Sequence, residues 1–179
     1  MIFTYKELKE KYGRRQLESK LKKEELIKIE KGYYSDEKFY NHLELFIKKN
    51  PNVVFTSESA FFFWGLTDYI PEKEFVATER KAKPIKDASV VQIFSTEEYF
   101  EIGRTTTIHN DVVVNVYDKE RMLIELARNK NTMSYDYYKE IIANYRAISD
   151  ELDMSKLARY LKKFKNGDNI FETIHREVC

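Results

Sequence analysis

Over residues 112–117 the apolar positions Val112, Val114 and Val116 alternate with Val113, Asn115 and Tyr117, and just past Asp118 the spacing changes to three and four, through Met122, Leu123, Leu126 and Ala127. A two-residue period predicts a strand with a buried face, and the longer period predicts a helix that shares its core. Asp118 stands at the helix start, where its carboxylate can accept from the amide of Glu120 or Arg121. The junction therefore sets Asp118, Glu120 and Arg121 together beside a core.

The same reading applied from the first residue predicts a chain of short elements. Thr4 and Glu7 have capping-box spacing, with Phe3 and Leu8 placed as a hydrophobic staple, so a helix is expected over 5–12. Gly13 stops it, and a second helix is expected over 14–23 with Leu17 and Leu21 inward. Leu26, Ile27 and Ile29 read as a strand, Lys31 and Gly32 as a turn, and Tyr33 and Tyr34 as the returning strand. Residues 36–49 place Phe39, Leu43, Phe46 and Ile47 at helical spacing, ended by Asn50 and Pro51. A short helix with Ala60, Phe61, Phe62, Phe63 and Trp64 follows, capped by Thr56 or Ser57, closed by Gly65, and buried on nearly all sides to judge from its aromatics. Strands are expected over 74–78, 89–94 and 102–108, the last pairing with 112–117 across a His-Asn-Asp turn. Beyond Arg128 the pattern is helical to the end, with Tyr138, Ile141, Ile142, Tyr145 and Ile148 inward and a break at Asn166 and Gly167.

This order predicts an α+β chain: an abbreviated N-terminal winged helix-turn-helix over 1–35, then a mixed domain over 36–179 with a small sheet and a helical C-terminal part. Composition agrees with a packed core, since 42% of residues are hydrophobic, including 13 Tyr and 12 Phe. Charge changes the picture more. The formal net charge is +1, yet residues 1–32 hold ten Lys or Arg against six Glu, so the rest of the chain is about three units negative. A basic head on an acidic body points toward a polyanion. Cys179 is the only cysteine, which excludes an intrachain disulfide and fits a reducing compartment. With no signal-peptide run and no membrane-length apolar stretch, a cytoplasmic protein is expected.

A helix fits the DNA major groove while cations on helix and wing neutralise phosphates. The residues expected to do so are Arg14, Arg15, Gln16, Ser19, Lys20 and Lys23 on the second helix, and Lys28 and Lys31 on the wing. In the body the candidates are the junction residues Asp118, Glu120 and Arg121, together with Arg80, which forms a basic link with Lys81 and Lys83. An ordinary capped helix whose Glu or Arg pairs with the sheet accounts for the junction more simply than a catalytic carboxylate pair does. His42, His109 and His175 each lack a second ligand at metal spacing, and no nucleophile-base order, phosphate loop or dinucleotide loop is present, so no catalytic residue, metal or cofactor is expected.

Three stretches, KIEKGYYS, FTSESAFFFWGLTDYIP and VVVNVYDKERMLIELAR, stand in an order and at separations that resemble the AbiEi-type antitoxins of bacterial abortive-infection toxin-antitoxin systems. The similarity runs over about residues 5–175. The specific parts are Ser59 and Ala60 leading to Gly65 and Leu66, and the Asp-x-Glu-Arg junction at Asp118 to Arg121. The resemblance implies an N-terminal winged helix that binds inverted repeats in its own operator and represses the operon. It implies also a C-terminal domain that neutralises a nucleotidyltransferase-like toxin, in some relatives without a stable complex. The alternative is an enzyme-like antitoxin, kinase-like or nucleotide-dependent, that modifies its toxin.

Overall fold

Thr4 begins the fold as its spacing to Glu7 predicts: its hydroxyl accepts from the Glu7 amide, and the Glu7 carboxylate accepts from the Thr4 amide. In the computed structural model, which describes residues 1–178, this capping box opens α1 (Tyr5–Lys22). Gly13 breaks α1 into the two expected segments, with φ 68° and ψ 168°, a backbone region that only glycine enters without strain. Leu8 from the first segment and Leu17 from the second meet Leu26 and Tyr34 in one cluster, flanked by Phe3, Tyr12 and Leu21.

Two strands, β2 (Ile27–Glu30) and β3 (Tyr33–Ser35), form the expected hairpin around Gly32, with an irregular register between Lys28 and Glu30. A third strand, β1 (Ile2–Thr4), pairs antiparallel with β3, giving the order β1-β3-β2. Three residues are too few to show a period, so the sequence conceals it. α2 (His42–Lys49) is shorter than expected because Asn41 caps it, accepting from the Leu43 amide. Leu45 is therefore its buried residue, while Phe39, expected inward, lies outside the helix and 87% exposed. Glu44 accepts from the Ile2 amide, Lys48 pairs with Glu7 at 2.7 Å and Lys49 with Glu30 at 2.9 Å. These contacts join α2 to the preceding elements, so the first compact unit is Met1–Pro51, where the sequence reading divides the chain at residue 35.

The second unit begins at Asn52. Its sheet has the order β6-β5-β4-β8-β7, built from β4 (Val54–Phe55), β5 (Glu74–Glu79), β6 (Val90–Ser95), β7 (Arg104–His109) and β8 (Val112–Tyr117). β7 and β8 form the expected hairpin, with Asn110 and Asp111 both at positive φ. The two-residue β4 occupies the centre, antiparallel to β5 and parallel to β8, and Val54, Phe55, Val76, Val114 and Val116 are all fully buried. Of the aromatics on α3 (Ser57–Phe63), Phe61 alone is fully buried. Phe62 and Phe63 are half-buried against the His109 ring, and the Trp64 indole donates to the Tyr117 carbonyl at 2.8 Å.

α4 (Glu97–Glu101) is a short helix that the sequence does not announce. α5 (Lys119–Arg128) and α6 (Tyr135–Ala147) bury Met122, Leu123, Leu126, Tyr138, Ile141, Ile142 and Tyr145, as their spacing predicts. α7 (Met154–Leu161) and α8 (Gly167–Glu177) follow, separated by Asn166 at φ 61°. The molecule is thus mixed α+β, with two small sheets and eight helices among the described residues. None of those helices is long and apolar enough to cross a membrane.

Candidate functional site

The break at Gly13 gives the second half of α1 its own orientation, and Leu17 and Leu21 turn it so that Arg15, Gln16, Ser19 and Lys23 face outward and are exposed. Arg14 is exposed too and pairs with Glu18 at 3.0 Å, one helical turn on. Lys20 is half-buried: its ammonium lies over the Tyr12 ring at 5.0 Å and pairs with Glu25 at 2.6 Å, which raises its pKa. On the hairpin, Lys28 and Lys31 are exposed, Lys31 at the turn. Arg15, Lys23, Lys28 and Lys31 have no ion pair among the described residues. The N-terminal unit thus gathers all eight residues expected to meet DNA, two of the cations being already engaged by carboxylates.

In the second unit the Asp118 junction is buried: Asp118, Glu120 and Arg121 are 7%, 6% and 3% exposed, which prevents any direct role as a surface patch. One Asp118 oxygen accepts from the Arg121 amide at 2.8 Å, so of the two amides open to it the cap uses Arg121. The other oxygen accepts from the Tyr160 hydroxyl at 2.9 Å and lies 3.1 Å from Lys156 Nζ. Glu120 accepts from the same Nζ at 2.8 Å and from the Asp153 amide at 2.9 Å. Asp118 at the N-cap of α5 and Glu120 within it thus hold one lysine on α7, so the junction's carboxylates pair with a helix where the sequence predicts the sheet. Burial pushes the Glu120 carboxyl up, but the Lys156 ammonium and the Asp153 amide outweigh it and leave it below 4.5. Burial, then the bond to Asp118, push the Tyr160 phenol up to about 12.

Arg121 points away from that clamp. Its guanidinium lies between the Tyr117 ring at 5.0 Å and the Phe164 ring at 4.4 Å and pairs with Glu125 at 2.7 Å. Burial works against its charge and Glu125 works for it. Gly103 makes the close approach possible: at φ +77° its backbone passes so near that an added Cβ would lie 2.5 Å from the Arg121 Cβ, and its carbonyl accepts from the Asp118 amide at 2.7 Å.

Arg80 is not part of this cluster; it is exposed in the link after β5 with Lys81 and Lys83. Sequence reasoning misses Lys156 and Tyr160, which complete the clamp from far along the chain. Their one signal is that a Lys and a Tyr four residues apart share a face of an amphipathic helix. The chain matches no protein-family model and no curated protein.

Proposed function

We propose that the chain is a cytoplasmic antitoxin of AbiEi type that binds inverted repeats in its own operator, represses the operon, and neutralises a nucleotidyltransferase-like toxin. The observation that carries the first part is a group of exposed cations in the N-terminal unit that have no ion pair among the described residues, among them Arg15 on the second segment of α1, Lys23 at its C-cap, and Lys28 and Lys31 on the hairpin. Met1–Pro51 holds thirteen Lys or Arg against nine Asp or Glu, an excess of four positive charges. Two helical segments and a basic hairpin are the outline of an abbreviated winged helix-turn-helix, in which the second segment enters the major groove and the hairpin follows the phosphates. Gln16 and Ser19, exposed on the same segment, supply hydrogen bonds to base edges.

The C-terminal unit is the antagonist in this reading. Asp118 and Glu120 spend their lone pairs on Lys156, Tyr160 and backbone amides, an arrangement suited to fixing α5 against α7 rather than to transferring protons or phosphoryl groups. Arg80, Lys81 and Lys83 are exposed cations open to an acidic surface on the toxin. The test is made in cells with a reporter fused to the DNA upstream of the gene, and with the adjacent gene's product co-expressed. Wild type lowers reporter output and restores growth; changing Arg15, Lys23, Lys28 and Lys31 to alanine relieves repression and leaves growth restored. An unrepressed reporter and unrestored growth with wild type refute the proposal.

A further inference from the structure

A cavity of about 890 Å³ opens in the C-terminal unit, bounded by β5, β6, α5 and the start of α6, and its volume falls within the range of small-molecule sites. Arg121 lines it, with its side chain only 4% exposed, and both Nε and Nη1 are buried without a hydrogen-bond partner. Tyr137 lines it as well, and its buried hydroxyl has no partner. These are the only buried side-chain nitrogen and oxygen atoms among the described residues that lack a partner, and both residues that carry them line this one cavity. Folded proteins leave few such groups unmet, and a cluster of them calls for a missing acceptor.

The chemistry of the wall narrows what that acceptor is. A guanidinium only donates, so the ligand must bring oxygen lone pairs. Arg121 and Arg128 share the Glu125 carboxylate, at 2.7 and 3.1 Å, and Glu58 is the other carboxylate of the wall. The wall is formally neutral, and what selects an oxyanion is the free N–H and O–H groups rather than a net field. Tyr69, Phe75 and Phe94 add ring faces and edges, which suit a planar group. Ser95, Thr96 and Asn129 add hydrogen-bonding groups that suit sugar hydroxyls.

We propose that this cavity binds a nucleoside monophosphate, its phosphate on Arg121 and its sugar hydroxyls and base toward Tyr137 and the aromatic wall. The site stands apart from the DNA-binding reading, and neither depends on the other. It is tested on the full chain by calorimetric titration with AMP, GMP, CMP and UMP, with the matching nucleoside and inorganic phosphate as controls. At least one nucleotide binds with Kd below about 1 mM, and its nucleoside and phosphate alone each bind about tenfold more weakly or not at all. Arg121→Met and Tyr137→Phe each weaken that nucleotide by about tenfold. Since Arg121→Met also disturbs packing on Tyr117 and Phe164, Tyr137→Phe is the decisive variant: removing an unpartnered hydroxyl leaves the melting temperature unchanged or higher while binding falls. No binding by any of the four nucleotides overturns the proposal, as does affinity unmoved by Tyr137→Phe, or inorganic phosphate binding as tightly as the nucleotide.

Discussion

Lys156 shows how much a single side chain can hold. Its ammonium answers two carboxylates that are themselves buried, so Lys156→Ala leaves Asp118 and Glu120 facing each other without a cation. Breaking a fully buried pair costs about 3–5 kcal/mol, but the Lys156 side chain keeps 29% of its surface in water, so a loss of about 2 kcal/mol is expected in chemical denaturation at neutral pH. The sign with pH follows from Glu120, whose folded pKa is depressed: its contribution is present above the unfolded value near 4.5 and is lost as pH falls through the lower folded value. The gap between wild type and Lys156→Ala therefore narrows as pH falls below 4.5, and a gap that widens on acidification contradicts the clamp. Gly103→Ala is a second test at this scale. It meets both a positive φ and the Arg121 side chain, so a loss of about 2–4 kcal/mol is expected, against nearly none for an ordinary surface glycine.

At the scale of elements, what local chemistry carries was legible. The Thr4 capping box, the Gly13 break, the Asp118 cap and the turn at Asn166 are each written in two or three neighbouring residues, and each stands where the sequence places it. What depends on distant pairing was not legible. β1 exists because β3 returns beside it, and β4 is a central strand because β5 and β8 flank its two residues. The early start assigned to α2 failed because Asn41 offered a cap that the apolar spacing of Phe39 concealed. The candidate site divides in the same way: exposure of Arg15 and Lys23 follows from helical spacing, while the Lys20–Glu25 pair depends on the turn after α1 and the Lys156 clamp on helix packing. The β7–β8 turn gives a test of the local reading. Asp111 sits at φ 63°, where a primed hairpin turn prefers glycine, so Asp111→Gly raises stability by about 0.5 kcal/mol in thermal melts. A drop in melting temperature would show that the Asp111 side chain holds the hairpin.

For the whole molecule the governing feature is the separation of charge along the chain, four positive in Met1–Pro51 and three negative in the remainder, under a net charge of only +1. A uniform protein of that net charge has little affinity for a polyanion, whereas a segregated one binds through its basic unit and loses affinity steeply as salt rises. The direct measurement is a fluorescence anisotropy titration of the full chain with duplex DNA from upstream of its gene, between about 50 and 200 mM salt. Logarithmic affinity should fall linearly with logarithmic salt, and changing Arg15, Lys23, Lys28 and Lys31 to alanine should flatten that slope by about 0.9 for each phosphate contact removed. Equal slopes for wild type and the fourfold variant, or no binding by wild type at the lowest salt, would contradict the account.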